Sequence, residues 1–150
     1  MKINLIRLVI VLSVFCGSYA MAEEKVSNND ASLDKRQSLG LTAAEKADFL
    51  AEMRQMLTSI QGIMDGIGTN NRALIIKSAR YSGNRMARET PQSVKKKTPA
   101  TFKQLGGPTH MKFEELAVRA EDDEMTELAA LTADLMKNCL ACHSMFKVDK

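Results

Sequence analysis

Two stretches of the chain repeat their apolar residues alternately four and three positions apart. Phe49, Met53, Met56, Ile60, Ile63 and Ile67 follow that rhythm in the first, and Leu128, Thr132, Leu135, Cys139, Cys142 and Phe146 follow it in the second. Residues so spaced form one seam along an α-helix and suit a helix packed nearly parallel to its neighbours. No period-two run of useful length, the mark of a strand, is found, and no internal repeat. The chain is therefore expected to be all-α. Scarce aromatics (5%), no Trp and 10 Met among 150 residues point the same way, since strands favour aromatic and β-branched residues and Met fills helical cores. That length suits a single domain with a core of its own.

Four helices can be laid out in order. Thr42 reads as an N-cap and Glu45, three residues on, completes a capping box, so the first helix starts there. Gly66, Gly68 and Asn70-Asn71 are expected to end it. A second helix runs from Arg72 into the eighties, with Ile75, Ile76, Ala79 and Met86 towards the core and Gly83 and Pro91 as limits. Between Pro91 and Pro108 the sequence predicts a connection, containing Lys95-Lys96-Lys97, Gly106-Gly107 and one short helical turn over residues 101–105. The third helix is expected near Thr109, with His110, Phe113, Ala117 and Ala120 at helical spacing. Glu121-Asp122-Asp123 then suit the positive N-terminal end of the last helix. The economical arrangement is an antiparallel four-helix bundle with crossings of about 20°. In it the start of the first helix, the end of the second, the start of the third and the end of the last share one end.

The last seam carries Cys139-Leu140-Ala141-Cys142-His143. C-x-x-C-H is the spacing at which c-type haem is attached. Two thiols three apart lie on one helix face, where they can bond both vinyl groups of one porphyrin, and the adjacent histidine reaches the iron. A thioredoxin-like dithiol would open a helix after a strand in a βαβ unit, and no strand pattern precedes Cys139. A zinc site would need further Cys or His, and the chain offers only Cys16 and His110 outside the motif. One covalent haem c per chain is the expectation.

Residues 1–22 read as a cleaved signal peptide: Lys2 and Arg7 precede an apolar run over residues 8–15, followed by small residues ending Ser18-Tyr19-Ala20 or Ala20-Met21-Ala22. The run is shorter than the roughly 20 residues a spanning helix needs. Phe15 before Cys16 fits a lipoprotein cleavage site poorly. A periplasmic location follows, with no membrane association after cleavage, and it agrees with haem attachment outside the bacterial cytoplasm. Residues 23–41 read as a flexible, polar lead-in, and residues 42–150 as the helical domain. With the signal gone, both remaining cysteines belong to the motif. Losing Lys2 and Arg7 from 21 basic residues leaves 19 against 18 acidic, a formal charge of +1 that gives no argument for nucleic acid.

With an exported four-helix pattern and C-x-x-C-H in the last helix, the chain resembles the class II c-type cytochromes, the cytochrome c prime family, over residues 42–146. The resemblance implies covalent haem on Cys139 and Cys142, with His143 as proximal iron ligand. It also implies a sixth site on the first helix, either open and apolar or filled by a methionine. The matching stretch is Glu52-Met53-Arg54-Gln55-Met56-Leu57. Met56 is the leading distal candidate and Met53 the alternative; an open site and His110 remain, although a lone histidine near a helix start is more often at the surface. The family's usual spacing sets a basic residue four before the distal position, and here Arg54 would then point to Thr58.

A methionine ligand raises the reduction potential and suits single-electron transfer, whereas an open site suits nitric oxide or carbon monoxide. An enzyme such as a peroxidase would need polar acid and base groups on the distal side. The first helix supplies Met and Ile there, so a non-enzymatic electron carrier is expected, with redox proteins as partners. Arg80, Arg85, Arg88 and Lys95 to Lys97 fall near the haem end by topology, as propionate partners, a docking patch or a solvated basic face. Bundles of this kind also pair as homodimers through their first two helices.

Overall fold

The computed structural model describes residues 33–149. Contacts within the chain separate Met1–Asp34 from a second unit, Lys35–Lys150. The expected signal peptide and residues 23–32 of the lead-in lie outside the described residues. The second unit is all-α apart from one two-residue strand pair.

Its first helix, α1 (Ala43–Gly68), begins at the expected capping box: the Thr42 hydroxyl accepts from the Glu45 N–H, and the Glu45 carboxylate accepts the Thr42 N–H at 2.9 Å. The helix passes Gly66 and ends at Gly68, within the expected stop of Gly66, Gly68 and Asn70-Asn71, with Thr69 as its C-cap. The reversal falls at Asn70, whose φ of 52° is left-handed and tolerated by asparagine. The Asn71 side chain then accepts the Leu74 N–H and caps α2 (Arg72–Tyr81). Gly66 has a packing role. A Cβ there would stand 2.6 Å from Ile75 Cγ1, so the missing side chain lets α2 close against α1.

The second expected helix is broken. After α2 the chain turns at Ser82-Gly83 into α3 (Asn84–Glu89), and a further short helix, α4 (Gln92–Lys97), occupies part of the expected connection. The third helix differs most: α5 (Ala100–Arg119) starts nine residues before Thr109 and passes through Pro108. Proline disfavours helix at the preceding residue because its ring collides with that residue's Cβ. Here that residue is Gly107, which has none. The last helix, α6 (Met125–Met145), covers the predicted seam.

Neighbour relations run from α1 to α2, α2 to α5, α5 to α6 and α6 back to α1. The packed core lies among them: Ile63, Ile75, Phe113, Leu116, Leu128 and Leu135 are at most 1% exposed. Each seam is only partly used in that core. On α1 Ser59, Gly62, Ile63 and Gly66 are buried, while Phe49, Met53, Met56 and Ile60 are half-buried. On α6 Leu128, Thr132 and Leu135 are buried, while Cys139 and Cys142 are half-buried. Both apolar stripes therefore continue past the core.

The end of the expected lead-in is structured. Strand β1 (Gln37–Ser38) pairs in parallel with β2 (Phe146–Lys147), directly after α6, and the Leu39 N–H donates to the Lys147 carbonyl at 3.0 Å. Leu39 and Phe146 are both buried, 4% and 5% exposed. The physical reason is burial: of the three leucines in this segment, Leu33, Leu39 and Leu41, it is Leu39 that is buried, beside the strand pair at the end of α6.

Candidate functional site

The two seams run into one cavity of about 930 Å³. Well-packed domains hold few voids larger than a water molecule, and this volume is at the upper end of the roughly 300–1,000 Å³ typical of small-molecule and cofactor sites. From α1 it is walled by Phe49, Met53, Met56 and Ile60; from α6 by Met136, Cys139, Cys142 and His143; from α5 by Phe102 and His110. Phe102 stands between Phe49 (centroids 5.9 Å) and Phe146 (5.4 Å, edge to face), so three rings form a continuous apolar side. The sequence layout missed Phe102 because residues 101–105 read as an isolated turn; its spacing from Phe113 becomes informative only once the helix is carried through Pro108.

Cys139 and Cys142 are free thiols. Burial pushes both thiols up from the ordinary range, and for Cys142 the neighbouring Cys139 adds to the rise. Disulfide oxidoreductases depend on lowered thiol pKa values, so these thiols lack the activation of a redox dithiol. His143 follows on the same cavity wall, and its backbone carbonyl accepts from Arg36 Nη1 at 3.3 Å. Among the described residues, no group of three or more His, Cys, Asp or Glu is arranged to hold a metal ion.

Across the cavity, Met53 and Met56 are both half-buried wall residues, and Met56 also packs on the buried core. The basic-residue spacing fails physically. Thr58 is exposed, does not line the cavity, and spends its hydroxyl on the Arg54 carbonyl of the preceding turn (3.0 Å). His110 is not the surface residue expected for a lone histidine. It is 8% exposed, and its Nδ1 lies 2.8 Å from the Ser82 carbonyl oxygen. Burial lowers its pKa, against the opposing effect of that hydrogen bond, which favours the neutral ring near pH 7.

The basic residues singled out by topology separate into two sets. Arg80 pairs with Glu121 at 3.9 Å and Arg85 with Glu89 at 3.2 Å, and Arg80, Arg85 and Arg88 are not on the cavity wall. Lys97 is paired with Glu45 (2.5 Å). Lys95 and Lys96 do line the cavity, joined by Lys103, Arg36 and Lys147, which no pattern in the sequence singled out. Glu52 is the one carboxylate among the described wall residues, and its pKa is raised by burial first and by Asp48 and Glu89 next. The wall is thus mostly apolar and carries Arg36, Lys95, Lys96, Lys103 and Lys147 against Glu52, a fit for a large, mostly apolar group bearing carboxylates.

Compared with known proteins, the chain matches no family model, no curated protein and no solved structure. The geometry of the site therefore carries the functional argument.

Proposed function

We propose that this chain is an exported c-type cytochrome of the cytochrome c prime kind. It is an antiparallel four-helix bundle that binds one haem covalently and carries single electrons between redox proteins of the periplasm. The observation that carries the reading is the meeting of Cys139, Cys142 and His143 with Met53 and Met56 on the wall of one apolar cavity. Cys139 and Cys142 would hold the haem, each S–H adding across one vinyl double bond to leave a thioether, with no oxidant and no leaving group needed. Bound haem supplies the one-electron iron couple.

The chain's own residues do the rest. His143 is the proximal nitrogen donor, Met56 the distal thioether and Met53 its alternative one turn earlier. Phe49, Phe102 and Phe146 line the cavity and would keep water from a bound haem, and Lys95, Lys96 and Lys103 on the same wall would offer cations to its carboxylates. A methionine donor and an apolar surround both favour the reduced iron, which suits an electron carrier.

Extraction of the purified protein with acidified acetone tests the covalent step: haem should remain on the polypeptide, and haem that leaves freely would end the proposal. A spectrum with and without carbon monoxide then separates the carrier from the gas-binding alternative. A low-spin ferric protein that resists carbon monoxide supports the carrier, and a high-spin protein that binds it readily supports the gas binder.

A further inference from the structure

His110 has no part in that reading, and it is the only histidine of the chain besides His143. It comes from α5, whereas the attachment motif is on α6 and both thioethers are on α1. The Ser82 oxygen that meets Nδ1 is a backbone carbonyl and can only accept, so at 2.8 Å the Nδ1 atom must carry the proton. Nε2 is then the nitrogen with an open in-plane lone pair, on a ring that forms part of the cavity wall.

The carbonyl is itself held in position. Ser82 is the C-cap of α2, where helical carbonyls lack a partner further along the helix, and its hydroxyl lies 2.8 Å from that of Ser59 on α1. The end of α2 and Ser59 on α1 thus fix the acceptor, and the acceptor fixes the imidazole. A histidine whose one N–H is donated to a backbone carbonyl is the arrangement in which the other nitrogen serves as a metal ligand. No proton has to leave Nε2 before it coordinates.

We infer that His110 Nε2 is a second distal donor to the haem iron, competing with the Met56 thioether and taking the sixth position when that thioether is withdrawn. The inference rests on the haem reading above. It makes the site a two-ligand device, with sulfur from α1 favouring the reduced iron and nitrogen from α5 favouring the oxidised iron.

The test uses the haem-loaded protein and three variants: Met56→Ala, His110→Gln and the double substitution. Glutamine keeps an amide N–H able to donate to the Ser82 carbonyl but presents no nitrogen lone pair, so it separates ligation from packing. The expected result is that Met56→Ala loses the methionine-to-iron charge-transfer band yet stays low-spin in the ferric state, with the electron paramagnetic resonance signature of two nitrogen ligands. Only the double variant should become high-spin and bind carbon monoxide readily. If Met56→Ala is already high-spin and indistinguishable from the double variant, His110 is a packing residue and the inference fails. A high-spin wild type fails it too. Should the band survive Met56→Ala, Met53→Ala replaces it in the same comparison: a ferric variant that has lost the band yet is low-spin with the signature of two nitrogen ligands supports His110 as the donor, and any other outcome overturns it. Haem that extracts from the wild type would instead remove the underlying reading, an outcome distinct from all of these.

Discussion

Met53 and Met56 differ by less than one helical turn, yet their surroundings separate them. Both line the cavity, but Met56 also packs against the buried core around Ile63, while Met53 has the half-buried Glu52 as its chain neighbour. A thioether anchored by core contacts has fewer conformations to lose on binding iron, which favours Met56 as the distal ligand. The expected outcome is that Met56→Ala abolishes the weak red methionine-to-iron band and lowers the reduction potential, while Met53→Ala leaves both near the wild-type values. Redox titration with near-infrared spectroscopy checks this. Loss of the band in Met53→Ala alone would mean that the register is wrong by one helical turn. Sequence spacing alone could not choose, since residues three apart share a helix face. The family's basic-residue spacing gave no help either, since from Arg54 it points to Thr58, which is exposed and bonds the Arg54 carbonyl.

At the scale of elements, the parts legible in the sequence are those set by local chemistry. The Thr42/Glu45 box and the α1 and α6 seams each depend on residues within a few positions of one another. The parts that were not legible depend on context or distance. Helix through Pro108 is tolerable because Gly107 precedes it. Strand β1 is two residues of extended chain with no periodicity, and its neighbour Arg36 meets a carbonyl 107 residues away. Leu39 anchors this strap over the end of α6, so Leu39→Ala should cost about 2–5 kcal/mol, the usual range for a buried leucine. Urea unfolding of the haem-loaded protein measures it, and a loss well under 1 kcal/mol would show the strap to be dispensable. A second link joins α1 to α4. Lys97 first, and then the Thr42 N–H, hold Glu45 down from 4.5 to about 2. A carboxyl depressed on folding stabilises the protein fully above about pH 4.5 and ceases to as the pH falls towards 2. Lys97→Gln should therefore move the acid transition followed by circular dichroism to higher pH, and an unchanged midpoint would contradict the pairing.

Over the whole molecule, the two halves of the helical unit are held by different means. One half has a packed core of Ile63, Ile75, Phe113, Leu116, Leu128 and Leu135, with Gly66 drawing α1 and α2 together. In the other half the residues that continue the same apolar stripes along the cavity, Phe49, Met53, Met56, Cys139 and Cys142, are only half-buried. Apolar side chains around such a volume forgo much of their dispersion contact, so that half depends on what fills it. Any group bound only by the folded state stabilises it, and a covalently attached one cannot dissociate. Local opening follows local packing, with cavity-lined segments drawn from the low end of the stability range. Replacing both Cys139 and Cys142 by serine should therefore act unevenly. Amides in the first half of α1, in the last turns of α6 and in the β1–β2 strap should exchange with solvent much faster than in the haem-loaded protein, while those flanking Ile63, Ile75, Phe113 and Leu128 should keep most of their protection. Hydrogen exchange followed by mass spectrometry reads this segment by segment. Equal loss of protection in both halves would mean that the packed core cannot stand without the cofactor, and no loss in either would mean that the cavity half is held by its own helices.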